Sequence, residues 1–334
     1  MDFEIFRNEM QSAMSSSMML QVAYVGVSGG LFDSLDSAKS VAEIASATSS
    51  DAGYVDVWCD AAYAFGLLEW DGKFSLSEKG KYFSRQMPSL LQMPVQAVLS
   101  AHMMERAATF LKSGERPGEK VLAERESILP LFGEMLERSF GKMFETSILP
   151  QLDIYEKTHS KGGTVIDLGC GNGWYLRKIA QKFTGIQCIG VDGFAENICQ
   201  AQEACRKDGV SGRVNFVQGD IYSFNPEKKA DLVAMNRALH HVWEKKEAVF
   251  SILSRIVADG GYVVIWEPHW PEDKTVLRKS QWQGMAMQNI SEYVQGNRFL
   301  NPAEIEAELE RAGFSPQTHF FNNGAEAVVT GQRK

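Results

Sequence analysis

Two rhythms of apolar residues divide the chain. From Thr164 onward, apolar runs at Thr164–Leu168, Ile186–Val191, Arg213–Val217, Asp231–Met235 and Tyr262–Trp266 alternate with amphipathic stretches at Trp174–Phe183, Ala195–Lys207 and Lys245–Val257. Strands that read as continuous apolar runs are buried on both faces, and their alternation with helices predicts a doubly wound parallel α/β sheet. Further on, Pro302–Ala312 has helical spacing, and Pro316–Phe321 and Glu326–Thr330 flank Asn322-Asn323-Gly324 as an antiparallel hairpin.

Earlier in the chain the helical period dominates. Ser12–Val27 is rich in Met, Leu and Val and apolar over most of its circumference, so as a helix it needs cover, for instance from a second copy of itself. Ser40–Ala47 and Asp51–Phe65 read as two helices, the second with Val55, Trp58, Cys59 and Ala62 on one face. Leu67–Trp70 and Lys73–Leu76 then flank Asp71-Gly72, a hairpin signal. Helix, helix and hairpin in this order predict a winged helix-turn-helix. Leu131–Leu149 is a further helix, carrying Phe132, Met135, Leu136, Phe140, Met143 and Phe144. Ser160-Lys161-Gly162-Gly163 is the expected hinge, which gives a mainly helical domain over residues 1–160 and an α/β domain over 161–334.

Composition narrows the partners. The 334 residues are 44% hydrophobic and 23% charged, enough for two packed domains and unlike a disordered chain. A net charge of −8 disfavours phosphate backbones and anionic membranes. Met1-Asp2-Phe3-Glu4 is acidic where a secretory signal is basic, and the apolar stretch Met18–Val27 is interrupted by Gln21 and too short to span a bilayer. The five cysteines are scattered without a Cys-x-x-Cys pair, as reduced thiols in a cytoplasm would be, and offer no structural zinc site. A winged helix can read DNA, and a cofactor-responsive regulator with salt-sensitive DNA binding is the rival class of function. Its recognition helix, Asp51–Gly66, argues against it: it holds Asp51, Asp56 and Asp60 and neither Lys nor Arg.

The candidate chemistry starts at Asp167-Leu168-Gly169-Cys170-Gly171-Asn172-Gly173, between a strand and a helix whose first N–H groups face the ligand crevice of such a sheet. Trp174 stands where the dinucleotide fingerprint needs its last glycine, which removes the main support for a nicotinamide or flavin oxidoreductase. Asp192 ends the next strand, where an acid can accept from both ribose hydroxyls, and Asp220 ends the third, where a carboxylate can face an adenine amino group. Cys170 reads as a small filler of the loop.

With these residues the stretch from Thr164 to Lys334 resembles the class I S-adenosylmethionine-dependent methyltransferases, which carry an acid two positions before Gly-x-Gly-x-Gly and an antiparallel seventh strand. The resemblance implies S-adenosyl-L-methionine as donor, S-adenosyl-L-homocysteine as product, and a cofactor shell of Asp167, Gly169, Gly171, Gly173, Asp192, Gly193, Asp220, Ile221, Asn236 and Arg237. Together with a helical, winged-helix-like N-terminal domain, the pattern resembles the small-molecule O-methyltransferases of secondary metabolism, which implies a homodimer through that domain. In that family a His after the fourth strand acts as base, and the corresponding run here, Ala238-Leu239-His240-His241-Val242-Trp243, puts His240 at that position and His241 where the family has Asp. The Trp is displaced by one position. The same run also resembles Leu-His-His-Val segments of class I enzymes that use no such base, so His240 is either a base or a positioning residue.

A base matters for an alcohol or phenol, less for a thiol, and not for a thioether. S-methylation of a thiol or thioether acid, for instance towards a sulfonium osmolyte, therefore stands as the alternative, working by alignment and exclusion of water. Arg237 and Arg298 are candidates to hold such a carboxylate. For the pocket, Phe140, Met143 and Phe144 are candidates beside their reading as plain core, and Trp270, Trp282, Met285, Met287 and Gln288 lie after the fifth strand, above the strand ends. No metal is expected: neighbouring residues on a helix point about 100° apart, which is poor for joint chelation by His240 and His241, with His269 as the one further donor considered.

Overall fold

This computed structural model describes residues 2–85, 87, 90–118, 121 and 129–334, the side chains of 129–134 excepted. They form two compact units, one reaching Ala108 and the other comprising 109–118, 121 and Leu129–Lys334. The units part earlier than the Ser160–Gly163 segment. The helical stretch before it belongs with the sheet, because Phe144, Ile148, Leu149, Ile154 and Tyr155 are buried in one apolar cluster with Val165, Leu232 and Trp266.

In the first unit, α1 (Phe3–Ser28) starts at Asp2, whose side chain accepts from the Glu4 N–H. It is longer than the periodicity predicts, and only Ala23 and Gly26 on it are buried, while Phe3, Ile5, Met10 and Met14 are exposed. Gly26 is needed there, since a Cβ would sit 2.4 Å from the Phe32 ring and 2.6 Å from Trp58. A capping box between Ser40 and Glu43 opens α2 (Val41–Thr48), and the Asp51 side chain opens α3 (Ala52–Ala64). The strands β1 (Leu68–Trp70) and β2 (Phe74–Leu76) pair antiparallel across Asp71-Gly72. Helix, helix and hairpin thus occur in the order that the sequence predicts, around a core of Phe32, Ile44, Val55, Trp58 and Leu67.

The second unit carries α4 (Leu129–Met143), a π-helical turn at Phe144–Ile148, and α5 (Ile154–Ser160). There follow β3 (Thr164–Leu168), α6 (Trp174–Lys182), β4 (Gln187–Asp192), α7 (Ala195–Lys207), β5 (Val214–Gln218) and β6 (Ala230–Asn236). Then come a 3-10 turn at Leu239–Lys245, α8 (Lys246–Ile256), β7 (Val257–Pro268), α9 (Ser280–Val294), α10 (Pro302–Arg311), β8 (Phe314–Phe321) and β9 (Glu326–Arg333). The sheet order is β5-β4-β3-β6-β7-β9-β8. It is parallel up to β7, and β9 runs antiparallel to both β7 and β8.

Alternation within each strand builds two cores: Val165, Leu232 and Val264 face one, Ile166, Val233 and Ile265 the other. With both faces covered, the open ground for a ligand is the crevice at the carboxyl ends of the strands. Among the described residues no helix is long and apolar enough to cross a membrane.

Candidate active site

The end expected to hold the donor is built mostly from backbone. Gly169, Gly171 and Gly173 have φ of 79°, 52° and 71°, a region that costs other residues strain. Space adds to the constraint: a Cβ on Gly169 would lie 2.8 Å from that of Ala238, and one on Gly173 would lie 2.5 Å from the Phe216 ring. The loop is pinned by Gly169 and Cys170 N–H donation to the Val191 carbonyl, and by Gly171 N–H donation to Asp192 Oδ2 at 2.9 Å. The other Asp192 oxygen accepts from the Phe194 N–H and from Asn197, both at 3.0 Å. The carboxylate expected to meet ribose hydroxyls thus also braces the loop.

Asp167 is 1% exposed and accepts from Asn236 Nδ2 at 3.0 Å. Burial, with nearby Asp192, pushes its carboxyl up to about 8 against the pull of Asn236. Asn236 Oδ1 is buried and meets no hydrogen-bond donor. A carboxyl short of partners and an orphaned amide oxygen together call for a cationic N–H donor, and the α-ammonium of S-adenosylmethionine fits that demand. Beside them, a Cβ at Gly171 or Gly193 would meet nothing within 4 Å, so the cradle is open there. Asp220 is exposed and accepts from the Tyr222 N–H at 3.1 Å, while Ile221 packs half-buried against the sheet core. Cys170 is buried, and burial holds its thiol well above the ordinary range, as suits a filler.

The end expected to meet the acceptor is built from side chains of distant segments. Glu267, the penultimate residue of β7, accepts from the Leu239 N–H at 2.7 Å and the His240 N–H at 3.3 Å through one oxygen, and lies 2.6 Å from His240 Nδ1 through the other. Ring and backbone of His240 are therefore fixed by one buried carboxylate, which leaves Nε2 facing Glu292 Oε2 of α9 at 3.6 Å. Burial alone would lower the His240 pKa, but Glu267 and Glu292 outweigh it and hold the imidazole at about 9. Glu292 is buried too, which raises its carboxyl, yet His240 and His241 bring it below the ordinary range. The His241 ring lies 4.1 Å from that of His240, and its Nδ1 is 2.9 Å from Asn297 Nδ2. Phe299 closes this end, with its ring 5.6 Å from His240.

Adjacency does not keep the two histidines apart, contrary to the helical-offset argument. They sit on a 3-10 turn, and one donor atom each from His240, His241 and Glu292 falls within 4.8 Å of the others. His269 is not in this group; its Nδ1 meets the Gly324 carbonyl at 2.7 Å.

The two arginines already have partners. Arg237, at φ 53°, pairs with Glu326 at 2.8 Å and lies 4.2 Å over the Phe140 ring, and the same Glu326 accepts from Trp266 Nε1 at 2.8 Å. Arg298 is paired with Glu304 at 2.6 Å. Of the pocket candidates, Phe144 is wholly buried among Tyr155, Trp174 and Tyr175 and belongs to the core, whereas Phe140 and Met143 are half-buried at its edge. Trp282 and Met285 form a small cluster with Phe299, against which Trp270 packs, and so border the His240 side. The side chain of Phe132 lies outside the described residues.

Sequence reasoning gave no role to Glu267, Glu292, Asn297, Phe299, Trp266 or Glu326. A signal existed for Glu267 alone, as an acid closing an apolar strand. Known proteins bear on the assembly at two levels. Residues 165–261 match the family model described as a methyltransferase domain. A sterol 24-C-methyltransferase of Saccharomyces cerevisiae is 32% identical over 114 residues, covering 34% of this chain and 29% of the relative. The chain spans less than half the length of the first curated relatives it matches. Over its whole length it shares a fold with an O-methyltransferase family protein from Burkholderia thailandensis, at TM-score 0.72 and 18% identity, covering 99% of this chain and 97% of the other. Human N-acetylserotonin methyltransferase, solved in complex with SAM, superposes at TM-score 0.73 with 17% identity, covering 100% and 98% of the two chains.

Proposed function

We propose that this chain, whose second unit is a class I methyltransferase domain, transfers a methyl group from S-adenosylmethionine to a hydroxyl of a small-molecule acceptor, with His240 as the base. The observation that carries this reading is the buried His240–Glu267 pair, 2.6 Å apart, above the strand ends beside the glycine loop. Asp167, Asn236 and the loop glycines hold the donor, whose sulfonium supplies an already activated methyl. What remains for the protein is alignment, exclusion of water and removal of one proton.

Glu267 fixes the ring so that Nε2 is the atom that takes the proton. The acceptor O–H bond breaks towards Nε2 as its oxygen bonds to the methyl carbon, and the electrons of the old carbon–sulfur bond leave with S-adenosyl-L-homocysteine. At about 9, His240 is protonated at neutral pH and balanced by Glu292. Turnover should therefore rise with pH through that range. A thioether acceptor would give the His240–Glu267 pair no task and a thiol would need it less than a hydroxyl, and both arginines considered for an acid substrate are held by glutamates.

We read the first unit as the winged-helix dimerisation part. The exposed Phe3, Ile5, Met10, Met14 and Met18 on α1 support a second copy as their cover. Free cysteines fit a cytoplasmic setting. The deciding experiment incubates the protein with methyl-labelled donor and a panel of hydroxylated and thiol metabolites, followed by mass spectrometry. Label on oxygen, lost in His240→Ala, is expected; label on sulfur or nitrogen, or no donor binding by calorimetry, would overturn the reading.

A further inference from the structure

The group His240, His241 and Glu292 has a second use. The geometry points to a site for a first-row divalent cation of the zinc class, made of His240 Nε2, one ring nitrogen of His241 and a carboxylate oxygen of Glu292. Two imidazoles and one carboxylate suit zinc, cobalt or iron better than magnesium or calcium, which prefer all-oxygen shells. Around a four-coordinate zinc, ligand atoms about 2.0–2.1 Å from the metal stand about 3.4 Å from one another. The His240 Nε2–Glu292 Oε2 separation of 3.6 Å is close to that already. The whole trio lies within 4.8 Å, so the approach of His241, the most open of the three, completes it.

The surroundings match what metal ligands need behind them. A ligating His normally gives its other ring N–H to a carboxylate, which fixes the tautomer. Glu267, 1% exposed, does this for His240 at Nδ1 through one oxygen while the other holds the Leu239 and His240 N–H groups. Asn297 lies against the remaining two ligands, its side-chain amide 2.9 Å from His241 Nδ1 and 3.5 Å from Glu292 Oε2; with its Oδ1 turned to accept from the Nδ1–H, His241 Nε2 is left for the metal. Three protein ligands leave a coordination position vacant, as in sites that exchange a water or a small ligand.

The consequence for turnover rests on the base reading above; the binding does not. A cation on Nε2 occupies the lone pair that would take the acceptor proton, so the ion acts as a reversible inhibitor. The test is equilibrium dialysis of the full chain against zinc sulfate with metal analysis, alongside titration of the unmutated protein with Co²⁺. One equivalent of zinc is expected, with affinity reduced 10-fold or more in both His241→Ala and Glu292→Gln, and a visible d–d band is expected on adding Co²⁺. No stoichiometric zinc in a protein that still binds the donor, unchanged affinity in both variants, or no cobalt band would each overturn the site. Zinc should also stop methylation and a chelator restore it. Stoichiometric, ligand-dependent zinc binding without inhibition would uphold the site and defeat the base reading instead.

Discussion

The donor end and the acceptor end lie on the same strand tips, yet they hold charge in different ways. At the proposed donor end, Asp167 is buried against the Asn236 amide with that residue's orphaned oxygen beside it, and burial pushes its carboxyl up to about 8. At the acceptor end, His240 stands between two carboxylates and keeps its proton without any ligand. One end is incomplete until it binds; the other is complete and must be opened. A backbone cradle with an unmet carboxyl suits one invariant ligand, as proposed for the donor, whereas a set of side chains on separate segments can be retuned singly.

The largest effect that would test this contrast is at the donor end. Gly173→Val puts a branched side chain at φ 71° into the Phe216 ring, and should abolish donor binding by calorimetry and destabilise the fold by about 3 kcal/mol or more. Retained donor affinity would mean that the loop is not the cradle. His240→Ala should cut turnover about 10²-fold or more with donor affinity unchanged; a matching loss of donor binding would show the two ends to be one unit.

Next comes Glu292→Gln. Removing one of the two carboxylates that hold the proton on His240 should move the rise of turnover with pH from near 9 towards neutrality. A pH profile left in place would assign the proton to Glu267 alone. A smaller effect concerns stability. Asp167 and His240 both have folded pKa values above their unfolded ones, so each makes stability fall as pH rises, Asp167 from about 4 to about 8 and His240 from about 6.5 to about 9. Urea melts across this range should show both slopes. Saturating donor should abolish the first by ionising Asp167 against its ammonium, and leave the second. The smallest catalytic effect is expected from Met14→Asp on α1, which should shift sedimentation towards monomer with the donor site intact.

The same contrast explains how much could be read in advance. The parallel sheet, its antiparallel last strand and the glycine loop were legible because they depend on local patterns: a run, a turn, a spacing of two. Asp192 and Asp220 were read as candidates from strand ends, and Asp167 from its spacing before the glycines. The His240 side was not legible, because Glu267 on β7 and Glu292 and Asn297 at and just past the end of α9 meet His240 and His241 only through tertiary packing, and no periodicity marks an acid on a helix as facing inward. Offset along a helix also misled: it describes where Cβ bonds point, not where two imidazole rings on a 3-10 turn can meet. For α1 the pattern marked a helix over Ser12–Val27, but the bounds were set by Asp2 and Gly29, which periodicity does not see.

The position of β9 has a bearing on the order in which the molecule can be made. It enters the sheet between β7 and β8, both of which precede it in the chain, and it brings Glu326 to Arg237 and Trp266. During synthesis, then, the sheet stays open between its neighbours and Arg237 stays without its carboxylate until residues 326–333 have left the ribosome. The glycine loop and the strands around it, β3 to β6, are complete about 90 residues earlier. The carboxylate that pairs with Arg237 is thus among the last parts of the second unit to arrive, and that corner near His240 is finished by the end of the chain rather than by its own neighbourhood.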